Sequence, residues 1–229
     1  MRDMTTEAKS AKTFDPEAFS LNLARAMENG GRALAAYLKP RQMIDPGERP
    51  PSEIAEVIKT FGTVAEYWLS DQTRATELQT RLGKAYLDLW GSATRRMAGE
   101  DVAASIQPEA RDKRFADPEW KSNLFFEFVM QAYLLTTRWA YELVRDAESL
   151  DAHTRKKAEF YVQQITNAIS PSNFILTNPE VLRQTITSNA DNLARGMQML
   201  AEDIEAGKGQ LRIRQSDPAG LEVGVNMAV

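Results

Sequence analysis

A three-residue motif, a capping residue followed by a proline and a glutamate, occurs three times in the sequence and marks helix boundaries. The copies are Asp15-Pro16-Glu17, Asp117-Pro118-Glu119 and Asn178-Pro179-Glu180. An Asp or Asn side chain caps the first backbone N–H groups of a helix, proline fits the first helical position, and a carboxylate is favourable in the positive first turn. The motifs therefore predict three helix starts.

Apolar residues recur at helical spacing through most of the chain, which predicts a mainly α protein, a multi-helix bundle of about six to seven helices. The segment 124–144 is long enough to span a bilayer. Its charged residues Glu127, Arg138 and Glu142 and the polar Gln131 would be costly at the centre of a membrane. A helix buried within the protein is favoured, and no transmembrane segment is predicted.

The last twenty residues differ from the rest of the chain. The sequence "QLRIRQSDPAGLEVGVNMAV" alternates apolar and polar residues around Asp217-Pro218-Ala219-Gly220, a pattern typical of a β-hairpin. A lone hairpin is marginally stable in water. We therefore expect these strands to belong to a larger sheet, so that the chain is a fragment or lends strands to another chain.

Composition excludes several kinds of chemistry. The net charge is −4, which gives no general attraction to nucleic acid. The chain has no cysteine and a single histidine, His153, so thiolate chemistry and a histidine-rich zinc site are excluded. Nucleophile-elbow, phosphate-loop and dinucleotide motifs are also missing from the sequence. We predict no catalytic, cofactor-binding or metal-binding residues, and without a secretory signal we expect a cytoplasmic protein.

Five stretches carry a resemblance to a known family. They are "RFADPEWKSN", "QAYLLTTRW", "SPSNFILTNPEVLRQT", "NADNLARGMQMLAEDIEAGKGQLRIRQSD" and "EVGVNMAV". In this order they resemble the N-terminal region of class I polyhydroxyalkanoate synthases, which polymerise hydroxyacyl-CoA into storage polyester. The resemblance covers residues 111–229, whereas residues 1–110 resemble the family only in being helical and variable.

The resemblance implies where catalysis occurs in the family: a C-terminal α/β-hydrolase domain that uses a cysteine, an aspartate and a histidine. Those motifs have no match here, so we expect no enzyme activity from this chain alone, and the hairpin would begin the sheet of that missing domain. The expected organisation is a variable segment (1–50) with an amphipathic helix (15–38) and a proline-rich linker, a helical region (51–110), the synthase N-terminal helical domain (111–206) and the strands (207–229).

The implied function is that of a non-catalytic module in polyester biosynthesis. It would serve granule association, dimerisation and support of the catalytic domain at the surface of a storage granule. The implied partners are the catalytic domain, a second synthase chain, and the polyester granule or its proteins. The alternative is a free-standing coat protein resembling a phasin, acting through amphipathic helices. An independent enzyme would need carboxylate or metal chemistry that the sequence does not locate.

Two sets of residues are candidates for contact. The docking candidates, centred on the apolar loop within 170–184, are Phe174, Ile175, Leu176, Asn178, Trp120, Phe125 and Phe126. The granule-contact candidates, on the first amphipathic helix, are Phe19, Leu23, Met27, Leu34 and Leu38. For both sets the alternative is burial in the helical core, in which case Phe174 would hold two helices together.

Overall fold

The computed structural model describes residues 14–40 and 52–211. Its regular structure there is helical, with eight α-helices. They are α1 (Pro16–Leu38), α2 (Ser52–Leu69), α3 (Gln72–Met97), α4 (Glu119–Ser122), α5 (Leu124–Arg145), α6 (Ala152–Ala168), α7 (Pro179–Thr187) and α8 (Asp191–Ala206). Short 3-10 turns lie at Lys113–Phe115 and Pro171–Asn173. The prediction of a mainly α protein is confirmed.

The predicted helix starts are present. The Asp15 carboxylate accepts hydrogen bonds from the backbone N–H groups of Glu17 and Ala18 at 3.0 and 3.1 Å. The Asn178 side chain caps α7 in the same way. Asp117 accepts the N–H of Glu119 at 2.9 Å, but the helix that follows is only four residues long. Three further caps, at Asp71, Asn123 and Asp151, lack a following proline.

The expected number of six to seven helices is too low for the described residues, because the short α4 adds one helix and the last helical region is divided into two. Residues 179–206 form α7 and α8, separated by Asn189 and Ala190, whose φ angles of 50° and 61° are left-handed. The backbone N–H of Asp15 donates to the Asn189 side chain at 2.9 Å, and the Asn22 side chain donates to the Asn189 carbonyl at 2.9 Å. Hydrogen bonds from Asp15 and Asn22 therefore stabilise the left-handed turn between α7 and α8. Local helix propensity does not predict this turn.

Two expected features lie outside the described residues. One is the proline-rich linker, since residues 41–51 are not described. The other is the terminal hairpin, since only Gln210 and Leu211 of the stretch 210–229 fall within the described part. The hairpin and the four expected segments of the chain remain predictions.

One compact unit contains residues 1–48 and 183–229, and its described core is the pair α1 and α8. The helices run parallel, since Asp15 bonds to Asn189 at one end and Arg32 pairs with Glu205 at 3.1 Å toward the other. The residues between them are small: Ala26 and Ala33 of α1, and Ala194 and Ala201 of α8. Seven-residue spacing on both helices gives a narrow seam of coiled-coil type.

The glycine that ends this pair shows how closely its two helices approach. Gly209 has a φ of 90°, and a Cβ atom there would lie 2.4 Å from Cγ of Pro40. Only glycine avoids both the left-handed strain and the overlap. Gly209 therefore fixes the contact between the end of α1 and the turn after α8.

The second unit contains residues 49–182. Helix α5 contacts α3, α4 and α6, and α2 contacts α3 and α6. One buried cluster joins Val64 and Trp68 of α2 to Val144 of α5 and Val162 of α6. The Trp68 indole N–H donates to the Leu143 carbonyl at 2.9 Å. This unit carries most of the buried apolar side chains of the described residues.

A buried ion pair explains why α5 contains a charge among apolar residues. Glu127 is buried and forms an ion pair with Arg96 of α3, whose guanidinium also donates to the Val102 carbonyl at 2.6 Å. The buried Gln131 accepts the N–H groups of Ser105 and Ile106 at 2.8 and 3.3 Å. These contacts place α5 inside the protein. Within the described ranges, no helix is both long and apolar enough to cross a membrane.

Candidate docking surfaces

The first candidate surface is the loop of residues 170–178, which we call the braced loop. Its polar side chains bond to its own backbone and to the end of α6. Asn173 donates to the carbonyls of Asn167 and Ala168 at 2.7 and 3.0 Å. Thr177 donates to the Pro171 carbonyl at 2.8 Å, and Asn178 donates to the Ser172 carbonyl at 2.7 Å. The loop therefore has one defined conformation without a hydrophobic core of its own.

The apolar side chains of the braced loop point largely to solvent. Phe174 is 51% exposed and Leu176 is 74% exposed, and Ile175 is partly buried. The interpretation of Phe174 as a core residue that holds two helices together is therefore wrong. Ile165 and Ile169 near the end of α6 are exposed as well. The polar bonds of the loop hold it together, and its apolar groups remain available.

The aromatic docking candidates separate into two groups. Trp120 is 1% exposed and Phe126 is also buried. Both lie in a cluster with Phe115, Met130 and Tyr133, in which the Phe115 and Trp120 rings meet edge to face with centroids 4.9 Å apart. Phe125 is exposed beside this cluster. In this structure only Phe125 of the three presents most of its surface to solvent.

Four of the granule-contact candidates, Leu23, Met27, Leu34 and Leu38, lie on a different side of α1 from its buried alanines, and we call these four the outer face of α1. The fifth candidate, Phe19, lies seven residues before Ala26 and shares the alanine side. Met27 is 71% exposed; Leu23, Leu34 and Leu38 are also exposed, whereas Phe19 is partly buried against Phe14. Since α8 contacts the alanine side of α1, the large apolar side chains of the outer face remain outside that contact.

The structure shows a further apolar groove that sequence reasoning missed. It lies between α3 and α5, has a volume of about 370 Å³, and is lined by Trp90, Met97, Leu124, Phe125 and Phe128 among others. The buried pair Arg96 and Glu127 also lines it. Spacing on each helix predicts an apolar stripe but does not say which pair of helices forms a groove.

Ionisable side chains line a second cavity in the described part of the chain. A cleft of about 680 Å³ is lined by Arg114, Tyr133, Thr137 and Arg138, among others. The Arg114 guanidinium lowers the pKa of Asp112 from its ordinary value of 3.8, mainly by hydrogen bonding to the carboxylate. In the part of the chain that the structure describes, no group of three or more acidic or histidine side chains could hold a metal ion.

Comparison with known proteins identifies the family. Residues 111–229 match the family described as "Poly-beta-hydroxybutyrate polymerase (PhaC) N-terminus". The poly(3-hydroxyalkanoate) polymerase subunit PhaC of Rhizobium meliloti (strain 1021) is 48% identical over 215 residues, covering 94% of this chain and 35% of the relative. The corresponding protein of Rhizobium etli is 45% identical over 229 residues, covering 98% of this chain and 36% of the relative. The protein of Cupriavidus necator (strain H16) is 37% identical over 153 residues, covering 67% and 24%.

These matches correct one expectation. Residues 1–110 were expected to resemble the family only in being helical and variable, but the Rhizobium matches cover nearly the whole chain. The chain spans about a third of the length of these curated relatives. No solved structure matches. Because the family match covers more than half of the sequence, from residue 111 to residue 229, this chain belongs to the poly-beta-hydroxybutyrate polymerase N-terminus family.

Proposed function

We propose that this chain is a non-catalytic helical module of a polyhydroxyalkanoate polymerase and that it supports a catalytic α/β-hydrolase domain. The observation that carries the proposal is the braced loop, where Phe174 and Leu176 are exposed on a backbone fixed by hydrogen bonds. A preorganised loop loses little conformational entropy on binding. Exposed apolar side chains on such a loop favour contact with another domain.

The polar contacts of the braced loop suit this role. Asn178 joins the loop to the following helix, because its side-chain oxygen accepts the N–H groups of Glu180 and Val181 at 3.0 and 3.3 Å. Its amide group donates to Ser172 within the loop. One side chain thus couples the loop conformation to the start of α7. The catalytic domain would bury Phe174, Ile175 and Leu176 against this support.

The test replaces the matching region of the Rhizobium meliloti polymerase with residues 1–229 and measures polymer formation from 3-hydroxybutyryl-CoA. We expect Leu176→Asp to lower the rate roughly tenfold, the effect of losing about 1.4 kcal/mol of contact energy. The matched control is Leu87→Asp on α3, since Leu87 and Leu176 are both 74% exposed. Equal rates for the two variants, at equal protein levels, would contradict the docking role.

A second role for the module is contact with polyester at the surface of a cytoplasmic storage granule. It is supported by the outer face of α1, whose exposed Leu23, Met27 and Leu34 resemble the apolar side of helices that lie on an interface. We expect Met27→Asp to reduce the binding of the 229-residue chain to poly-3-hydroxybutyrate particles, and Leu87→Asp to leave it unchanged. Unchanged binding of the Met27 variant would exclude this face.

These experiments also separate the module from a free-standing coat protein that resembles a phasin. A coat protein would bind particles through α1, and substitution in the braced loop would not affect polymer synthesis. If the module supports a catalytic domain, Leu176→Asp in the braced loop should lower polymer synthesis. The granule-associated proteins implied by the resemblance would be sought by pull-down with the intact chain and with the Met27 variant.

A further inference from the structure

The cleft of about 680 Å³ in the second compact unit is lined by four arginines, and we call it the arginine cleft. The four are Arg111, Arg114, Arg138 and Arg145. Arg138 and Arg145 lie on one side of α5, because seven residues are about two turns of a helix. The other two arginines belong to the segment 106–114, which forms another wall of the cleft.

The segment before α4 is anchored at both ends, so the cleft is formed before a ligand binds. At one end the backbone N–H of Ile106 donates to the buried Gln131 side chain of α5 at 3.3 Å. At the other end the Arg114 guanidinium donates to the Tyr133 hydroxyl and to the Asn167 side chain, at 2.9 and 3.3 Å. A site whose walls are fixed in advance loses little conformational entropy on binding.

Acidic side chains neutralise only part of the positive charge of the arginine cleft. Three carboxylates line it: Glu109, Asp112 and Glu142. The Asp112 carboxylate is taken up by Arg114, which donates to its two oxygens at 2.8 and 2.7 Å. Four guanidinium groups minus three carboxylates leave one formal positive charge in the lining. An anionic ligand is therefore favoured over a cationic one.

Two of the guanidinium groups have hydrogen-bond donors to offer a ligand. Arg111 and Arg138 are exposed, and their side chains form no hydrogen bond or ion pair with residues 14–40 or 52–211. A guanidinium group is a planar fork of N–H donors that matches the oxygens of a phosphate. A phosphate monoester carries a charge of about −1.5 to −2 at pH 7. The two arginines therefore match one phosphate group in charge and in donors.

The arginine cleft also has an apolar side. Leu134 and Tyr141 line it, four residues before and three residues after Arg138, so that all three lie on the same side of α5. The volume of about 680 Å³ lies within the range of small-molecule sites and exceeds the size of a phosphate ion. An organic group attached to the phosphate would bury apolar surface that inorganic phosphate lacks.

One polar atom in the wall of the arginine cleft lacks a partner. Thr137 lines the cleft next to Arg138, and its hydroxyl is buried without a hydrogen-bond partner in the described part of the chain. Buried hydroxyls are usually hydrogen-bonded. An unsatisfied hydroxyl at this position favours a polar ligand from outside the chain.

We propose that the arginine cleft binds an organic phosphate, with Arg111 and Arg138 donating to the phosphate oxygens and the organic part lying against Leu134 and Tyr141. Two ligands share this chemistry: the nucleotide part of a coenzyme A thioester and a free nucleotide such as adenosine monophosphate. The inference goes beyond the supporting role proposed above. It assigns binding, and no chemical step, to these side chains.

The first test is isothermal titration calorimetry of the 229-residue chain with coenzyme A, adenosine monophosphate and inorganic phosphate. We expect the tighter of the two organic phosphates to bind roughly tenfold or more tightly than inorganic phosphate, because only an organic phosphate contacts the apolar side. Tighter binding of coenzyme A than of adenosine monophosphate would identify the thioester nucleotide as the ligand. Equal or weaker binding of coenzyme A would identify a free nucleotide.

The second test uses the two arginines that have donors to offer. Arg111→Gln and Arg138→Gln should each weaken binding of the tighter organic phosphate roughly tenfold, because hydrogen bonds to a charged group are lost. Arg138→Lys should have a smaller effect, since it keeps the charge but not the fork of donors. The matched control is Arg25→Gln, at an exposed position of α1 in the other compact unit. It removes the same charge and should leave the affinity unchanged.

A third variant should act in the opposite direction. The Glu142 carboxylate lines the arginine cleft and repels a phosphate. Glu142→Gln should therefore tighten binding roughly twofold to fivefold, the size expected for one partly exposed charge. Damage to the fold would weaken binding, so a gain in affinity separates the electrostatic effect from misfolding.

Three results would overturn the inference: no binding of either organic phosphate, inorganic phosphate binding as tightly as both of them, or equal effects of Arg138→Gln and Arg25→Gln. Each result comes from binding to the 229-residue chain and requires no polymer synthesis. Failure of the arginine cleft would therefore leave the role of the braced loop intact. A failed Leu176→Asp test would likewise leave the cleft intact.

Discussion

At the scale of single residues, Asp112 and Arg114 show how a short turn is held by charge. The guanidinium donates two hydrogen bonds to the Asp112 carboxylate, at 2.8 and 2.7 Å, and a third to the Tyr133 hydroxyl at 2.9 Å. That hydroxyl in turn donates to the Thr166 carbonyl of α6 at 3.0 Å. The turn before α4 is thereby connected to α5 and α6.

The same pair predicts a pH dependence of stability. Hydrogen bonds from Arg114 lower the pKa of Asp112 below 3.8 in the folded protein. A lowered carboxyl pKa contributes stability above the unfolded pKa, and this contribution is lost as the pH falls through the folded value. Asp112→Asn should therefore lower the urea midpoint at pH 7 and have a smaller effect at pH 3, which is below the unfolded pKa. Asp88→Asn, at an exposed position on α3, is the control. An equal effect of Asp112→Asn at both pH values would contradict the role of charge.

At the scale of helices, the contact between α3 and α5 depends on the ion pair of Arg96 and Glu127. Both side chains are largely buried, at 19% and 9% exposure. Removing one partner of a buried pair leaves the other charge unpaired, which costs about 3–5 kcal/mol. We expect Glu127→Ala to lower the free energy of unfolding by that amount in urea denaturation. Glu77→Ala, which removes an exposed partner of Arg81, should cost less than about 1 kcal/mol.

Helix starts could be predicted because capping is local: Asp15 and Asn178 bond to N–H groups within three residues. The break at Asn189 could not be predicted, because the bonds that hold it come from Asp15 and Asn22, more than 160 residues away. In α6 apolar spacing identifies only part of the buried face. Ala158 and Val162 are buried, but Ile165 and Ile169 are exposed. Thr166 is buried instead: its hydroxyl donates to the Val162 carbonyl, and its own carbonyl accepts the Tyr133 hydroxyl.

The sequence predicts which residues belong to each candidate surface, but it does not predict which of them are exposed. Apolar spacing selects Leu23 and Met27 and also selects core residues such as Val162, and cannot separate the two. In α1 the small residues Ala26 and Ala33 face the partner helix, and the larger apolar side chains do not. Trp120 and Phe126 are buried, as large aromatic side chains at helical spacing usually are.

At the scale of the whole molecule, the two compact units should differ in local stability. The described core of the first is a cluster of three buried residues, Ala33, Ala201 and Ile204. The second has larger clusters, centred on α5. Because the free energy of local opening follows buried contacts, we expect faster amide hydrogen exchange in α1 and α8 than in the middle of α5, measured in dilute solution. Equal protection in both regions would contradict this expectation.

The parallel pairing of α1 with α8 has a consequence for synthesis of the chain. Asp15 and Asn189, which bond to each other, are 174 residues apart. At 5–20 residues per second, the ribosome needs roughly 10–35 s to make the intervening chain. During that interval α1 has left the ribosome, and both its alanine seam, which α8 covers in the folded protein, and its outer face are exposed. We expect a nascent chain of this kind to be prone to aggregation until translation has passed α8.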